Sequence, residues 1–160
     1  MSKIILILLL VTSTGLGSNE TFLDQHKKKI DKELEKWCEG ISQLESIKTR
    51  DNREFYRIIN SDNQNSGILV LSSAKGRFDN FDLMTIVVSN KIDLIRILKY
   101  RSEYGSEISN KKWLAQFYNK PDEQFVFRKN IDAISGATFS AQGIVNEAND
   151  ILKALGNIDK

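Results

Sequence analysis

Phe81-Asp82-Leu83-Met84-Thr85-Ile86-Val87-Val88-Ser89-Asn90-Lys91-Ile92-Asp93-Leu94-Ile95-Arg96-Ile97-Leu98-Lys99-Tyr100 is the stretch on which the fold turns. Two apolar runs of strand length flank the polar triplet Ser89-Asn90-Lys91. Leu94, Ile95, Ile97 and Leu98 also fit a helical face. The three isoleucines of that run and the short turn before it favour strand, so the stretch reads as a β-hairpin.

Working outward, the turn at Gly76 and Asp79-Asn80 precedes the hairpin, and Ile68-Leu69-Val70-Leu71 precedes that turn. The polar cluster Asp62 to Gly67 separates this run from a strand at Phe55 to Ile59. From Phe22 to about Ile41, the residues Leu23, Ile30, Leu34, Trp37 and Ile41 recur at helical spacing, with Gly40 and Ser42 as stop signals. Lys and Glu are mixed on its other faces, so it reads as a packing helix rather than a membrane-surface one. After the hairpin the sequence predicts a helix at about 110–118 carrying Trp113, Leu114 and Phe117, then a short strand at Phe125-Val126-Phe127. A final helix carries Ile144, Val145, Ala148, Ile151, Leu152 and Leu155. The pattern implies one α+β domain, an antiparallel sheet flanked by helices, without internal repeats.

The 160 residues are 41% apolar and 28% charged, a globular composition, and they suffice for one modest core. A formal net charge of +2 from balanced acids and bases, with no dense basic run beyond Lys27-Lys28-Lys29, does not suggest nucleic acid as a partner. At the N-terminus, Lys3 precedes an unbroken apolar run from Ile4 to Val11, and mostly small residues follow to Ser18. This is the layout of a signal peptide over 1–17, with cleavage after Gly17; the run is well short of the roughly 20 residues that span a bilayer. Retention as an N-terminal anchor is the other reading. The sequence then divides into a helical segment at 18–45 and a domain at 46–160. The chain is read as exported, to the periplasm or the outer face of the cytoplasmic membrane. Cys38 is the only cysteine, so an internal disulfide is impossible, and beside Trp37 it reads as a small buried hydrophobe. His26 is the only histidine, and no metal site is expected.

Ile131-Asp132-Ala133-Ile134-Ser135-Gly136-Ala137-Thr138-Phe139-Ser140 is a turn of small residues feeding a helix N-terminus. Unpaired N–H groups and a partial positive charge suit such a terminus to phosphate, and Gly136 and Ala137 leave the backbone open to a close approach. The plainer reading is that Ser135 or Thr138 caps the helix.

Asp132-Ala133-Ile134-Ser135-Gly136-Ala137-Thr138 matches every specified position of the pattern Asp-x-x-Ser/Thr-Gly-Ala-Thr, and here the chain resembles the FMN-binding domain family. That family includes the C subunit of the sodium-pumping NADH:quinone reductase, the G subunit of RNF-type complexes and smaller exported proteins. The resemblance spans about Gly67 to Leu155. It implies FMN attached covalently to Thr138 through a phosphoester, made by an FAD:protein FMN transferase. Tyr100 to Ile108, with Trp113 to Phe117 and Lys120, is similar to the stretch upstream of the threonine in the small exported members. It departs from the Glu-Thr-x-Gly-Leu-Gly form of the large complexes, so their ring contacts are not carried over. The resemblance thus marks Asp132, Ser135, Gly136, Ala137, Thr138, Phe139 and Ser140, with Glu103, Tyr104, Gly105 and Trp113, as cofactor-binding. Asp132 is assigned to orienting the turn or to recognition by the transferase, and Tyr104, Trp113, Phe117 and Phe139 are aromatic candidates for covering the flavin ring or for the core.

The function implied is an electron carrier between membrane or extracytoplasmic redox partners. No catalytic residue pair, dinucleotide fingerprint or metal cluster is evident, and an enzymatic role stays open. A flavin-dependent reductase of a soluble acceptor and a cofactor-free binding module of the same fold are the alternatives.

Overall fold

The computed structural model describes residues 20–50, 52–120 and 124–156. The segment read as a signal peptide lies outside them. The elements are α1 (Phe22–Trp37), β1 (Ile41–Arg50), β2 (Arg53–Asn60), β3 (Asn65–Lys75), β4 (Asn80–Val88), β5 (Lys91–Lys99), α2 (Lys111–Leu114) and α3 (Thr138–Leu155). The five strands form one antiparallel sheet in the order β1-β2-β3-β4-β5, a meander in which every neighbour in sequence is a neighbour in space. The expected hairpin is β4–β5. Val88 pairs with Lys91 across Ser89 and Asn90, whose positive φ of 49° and 58° make the two-residue turn that suits twisted strands.

Helices cover both faces of the sheet. Val70, Ala74, Leu83, Val87 and Ile95 pack under Ala141, Ile144, Val145, Ala148 and Ile151 of α3. Ile58, Leu69, Leu71, Met84 and Ile86 face the other way, onto Leu23, Ile30 and Leu34 of α1. Burial on both faces is why the run Ile68 to Leu71 is continuously apolar instead of alternating. The architecture is α+β, as the sequence implied.

Four details differ from the sequence reading. The first helix ends at Trp37, and Ile41, counted with it, begins β1, so the last five residues of segment 18–45 belong to the sheet. Gly40, with φ 77°, makes the break. A register shift between Ile41 and Gln43 and another between Ser46 and Lys48 bulge β1. The first of these puts Ile41 and Leu44 on one face at a spacing of three, which mimics a helix. Residues 125–127 form no strand. The Phe125 N–H donates to Asn149 Oδ1 at 2.9 Å and its carbonyl accepts from Asn149 Nδ2 at 2.9 Å, so a side-chain amide takes the place of a partner strand. The helix read at 110–118 is α2 followed by a 3-10 turn, Ala115–Phe117. Cys38 is half-buried at the end of α1 rather than enclosed.

The helices are fastened by polar ties as well as packing. Thr21 and Asp24 form a capping box at the start of α1, and the Glu54 carboxylate of β2 accepts from Phe22 N–H at 2.8 Å and Leu23 N–H at 3.3 Å. Further along α1, Lys29 donates to the Leu98 carbonyl and Arg96 pairs with Glu33 at 2.9 Å. On the other face, Arg53 grips Glu147 of α3 through two bonds of 2.7 and 2.8 Å. At Gly143 of α3 a Cβ would stand 2.1 Å from the Lys75 carbonyl oxygen, so the helix lies directly on the backbone at the end of β3.

Gly143→Ala tests that contact. Intrinsic propensity favours alanine in a helix by about 1 kcal/mol, but the methyl has no space against a backbone oxygen. Urea unfolding is expected to show a net loss of about 1–3 kcal/mol, and a gain would mean that α3 does not sit this close.

Candidate functional site

The start of α3 is built by a tight turn. The Ala137 N–H donates to the Ile134 carbonyl at 3.3 Å, and Gly136 takes the positive φ of 78° that this turn requires. A Cβ on Gly136 would meet only the flexible end of Glu107, at 3.6 Å, so conformation rather than space demands glycine there. Ala137 occupies the N-cap position and no side chain caps the helix. Ser135 and Thr138 are both exposed, and neither supplies the cap that their residue types suggest. Thr138 is the first helical residue, in the turn whose N–H groups have no acceptor within the helix.

The approach to this turn is held from the side by α2 and the 3-10 turn that follows it. Trp113 Nε1 donates to the Asp132 carbonyl at 2.9 Å, and Gln116 Oε1 accepts from the Asp132 N–H at 2.9 Å. Trp113 itself is buried, and Phe117, fully buried, meets it edge-on at 5.6 Å. Both rings belong to the core. The Asp132 side chain is exposed.

The facing wall is the segment after β5. The Tyr100 hydroxyl donates to the Tyr104 carbonyl at 2.7 Å and lies 2.8 Å from Ser140 Oγ. Its one proton is committed to the carbonyl, so the buried Ser140 hydroxyl is the donor in the second bond. Gly105, with φ 89°, would place a Cβ 2.6 Å from the Tyr100 oxygen, so this close closure of the turn on Tyr100 requires glycine. Arg101 anchors the same segment with bonds of 3.0 and 2.6 Å to Asp82, which His26 of α1 meets from the other side at 2.9 Å. Burial works to raise the Asp82 carboxyl, but hydrogen bonds from Arg101 and His26 outweigh it and hold its pKa below the ordinary aspartate value. The hydrogen bond to Asp82 in turn raises Arg101.

Between these walls lies a cleft of about 230 Å³. Gly136, Ala137, Thr138, Phe139 and Ser140 line one side and Ser102, Tyr104 and Gly105 another. Arg77 and Phe78, at the tip of the β3–β4 turn, complete it. Phe78, Tyr104 and Phe139 are 69%, 73% and 61% exposed, so three of the four exposed large apolar side chains among the described residues gather at this one place. Of the residues singled out in the sequence, Ser135, Glu103, Asp132 and Trp113 do not line the cleft. Arg77 and Phe78 were missed. The only sign of them in the sequence is a phenylalanine placed among the polar residues of a turn.

The fold and cleft define a small α+β ligand-binding domain whose site is an uncapped helix start ringed by exposed aromatic side chains. Residues 79–153 match the family model of the FMN-binding domain. The match supports flavin binding, with FMN as the flavin. It covers β4, β5, α2 and most of α3 and stops short of Arg77 and Phe78. No curated protein matches the chain.

Asp82 gives the domain a definite acid response. Its folded pKa is depressed, so its ionised form stabilises the fold above the ordinary aspartate value, and that contribution is lost as the pH falls through this range. Asp82→Asn should lower stability at neutral pH and flatten its decline between about pH 5 and pH 3, with a residual slope from other depressed carboxyls such as Glu33. Urea titrations across this interval check it, and parallel profiles for the two proteins would count against the Asp82–Arg101 tie.

Proposed function

We propose that the protein is an exported electron carrier holding FMN covalently, with the flavin phosphate esterified to Thr138 Oγ. One observation carries the reading. Within the stretch that matches the FMN-binding domain, the threonine of Asp132-Ala133-Ile134-Ser135-Gly136-Ala137-Thr138 presents an exposed hydroxyl at an uncapped helix start, beside a cleft walled by aromatic rings.

The residues present suit such a group. An exposed hydroxyl is reachable by an FAD:protein FMN transferase, and the open turn at Gly136-Ala137 leaves room for that enzyme to approach. First-turn N–H groups and the helix dipole stabilise the single negative charge that a phosphodiester keeps. Phe78, Tyr104 and Phe139 offer apolar surface to a planar ring system. Bound FMN supplies one- and two-electron redox chemistry. A covalent link frees retention from affinity, which matters outside the cytoplasm, where a released flavin is diluted away. The short positive and apolar leader sequence supports export, and membrane or extracytoplasmic redox proteins are the partners proposed.

Co-expression with an FAD:protein FMN transferase, with export permitted, should give a yellow protein whose colour survives denaturation and whose intact mass is raised by one FMN moiety. Thr138→Val should abolish the mass increase while changing stability by no more than about 0.5 kcal/mol, since the side chain is exposed. A wild-type protein that stays unmodified, or a label retained by Thr138→Val, overturns the assignment.

A further inference from the structure

We propose that Arg77 is a cofactor-positioning residue that binds the phosphate of the flavin directly; this rests on the cleft at Thr138 being the FMN site. The side chain lies at the tip of the β3–β4 turn, outside the residues that match the family, and lines the same cleft as Thr138. Its guanidinium carbon stands 5.1 Å from the Phe78 ring centre and 5.6 Å from that of Phe139, the residue that follows Thr138. Contacts with ring faces use the guanidinium plane and leave its N–H edges free to donate.

Among the described residues no carboxylate stands within ion-pair distance of Arg77, whereas Arg101, the cation on the facing wall, is committed to Asp82. A cation steadied by two rings at the edge of an aromatic cleft, with its donors unspent, has the geometry of an anion receptor. The anion that this cleft would take is the flavin phosphate. Its ester point, Thr138, adjoins the ring that carries the guanidinium. The turn is braced for the task. Gly76 N–H donates to the Asp79 carbonyl at 3.0 Å, and a Cβ on Gly76 would stand 2.6 Å from that oxygen and 3.4 Å from Ser140 Oγ, so the turn closes tightly against the first turn of α3.

The test compares wild type, Arg77→Gln and Arg77→Lys, with circular dichroism and thermal melting to establish that each is folded. For protein made without a transferase, the affinities for FMN and riboflavin are measured by flavin fluorescence; the two ligands differ only in the phosphate. Wild type should prefer FMN, and Arg77→Gln should weaken FMN about tenfold while leaving riboflavin unchanged, as loss of a hydrogen bond to a charged group predicts. Arg77→Lys, which keeps the charge but not the planar fork, should fall between. In flavinylated protein, the phosphorus-31 resonance should shift between wild type and Arg77→Gln. No preference for FMN in wild type, or equal weakening of both ligands, overturns the assignment of Arg77 to the phosphate. So does an unchanged phosphorus resonance. An unlabelled Thr138 would instead remove the covalent reading, and the affinity comparison would still judge Arg77.

Discussion

Where α3 crosses the end of β3, Gly143 lets the helix rest on the Lys75 carbonyl at a distance that no side chain would allow. Lys75 is the last residue of its strand, and the turn bearing Arg77 and Phe78 begins immediately after it. Contact at this point therefore sets both the depth of the helix and the position of its first turn relative to the strand ends. Ser140 then falls against two further glycine turns. A Cβ on Gly76 would meet its hydroxyl at 3.4 Å and one on Gly105 at 3.5 Å. Three chain segments distant in sequence meet around one buried serine, and the cleft is what remains between them.

Behind the cleft, the sheet transmits the constraint. Its central strands are covered on both faces, so a displacement of either helix exposes core residues such as Val70 or Leu69. The polar ties follow the same logic. Asp82, 2% exposed in β4, is met by His26 from the helix on one face and by Arg101 from the segment that forms a cleft wall. A buried carboxylate is costly without partners, so both contacts are needed once it is there. The far helix is thereby linked to the site without touching it.

Much of this was legible in residues alone. The polar triplet Ser89-Asn90-Lys91 between two apolar runs gave the β4–β5 hairpin, in which Ser89 and Asn90 take the positive φ that so short a turn demands. The motif ending at Thr138 pointed to the start of the last helix, where the chain does turn. What escaped had physical causes. Ile41 stands four residues after Trp37, so the first residue of β1 continued the pattern of α1 across the break at Gly40. Phe125 has strand chemistry, but its backbone bonds are taken by Asn149, 24 positions away, which no local pattern reveals. Trp113 and Tyr104 were equally plausible as ring cover, and only packing separates the buried indole from the exposed phenol. Arg77 and Phe78 acquire meaning only once the β3–β4 turn is set beside α3.

The aromatic residues around the cleft sit at a turn tip, on a loop and on an outward helix position, and each is more than 60% exposed. Phe78 and Phe139 hold Arg77, but none of the three supports the core: the frame is built from glycines, buried hydroxyls and strand ends. Substitution at Phe78, Tyr104 or Phe139 therefore leaves the core untouched, and their identities are free to vary with the chemical demands of whatever lies between them. The scaffold separates durability from adjustability, which makes its rim a natural place to retune a bound chromophore without redesigning the protein beneath it.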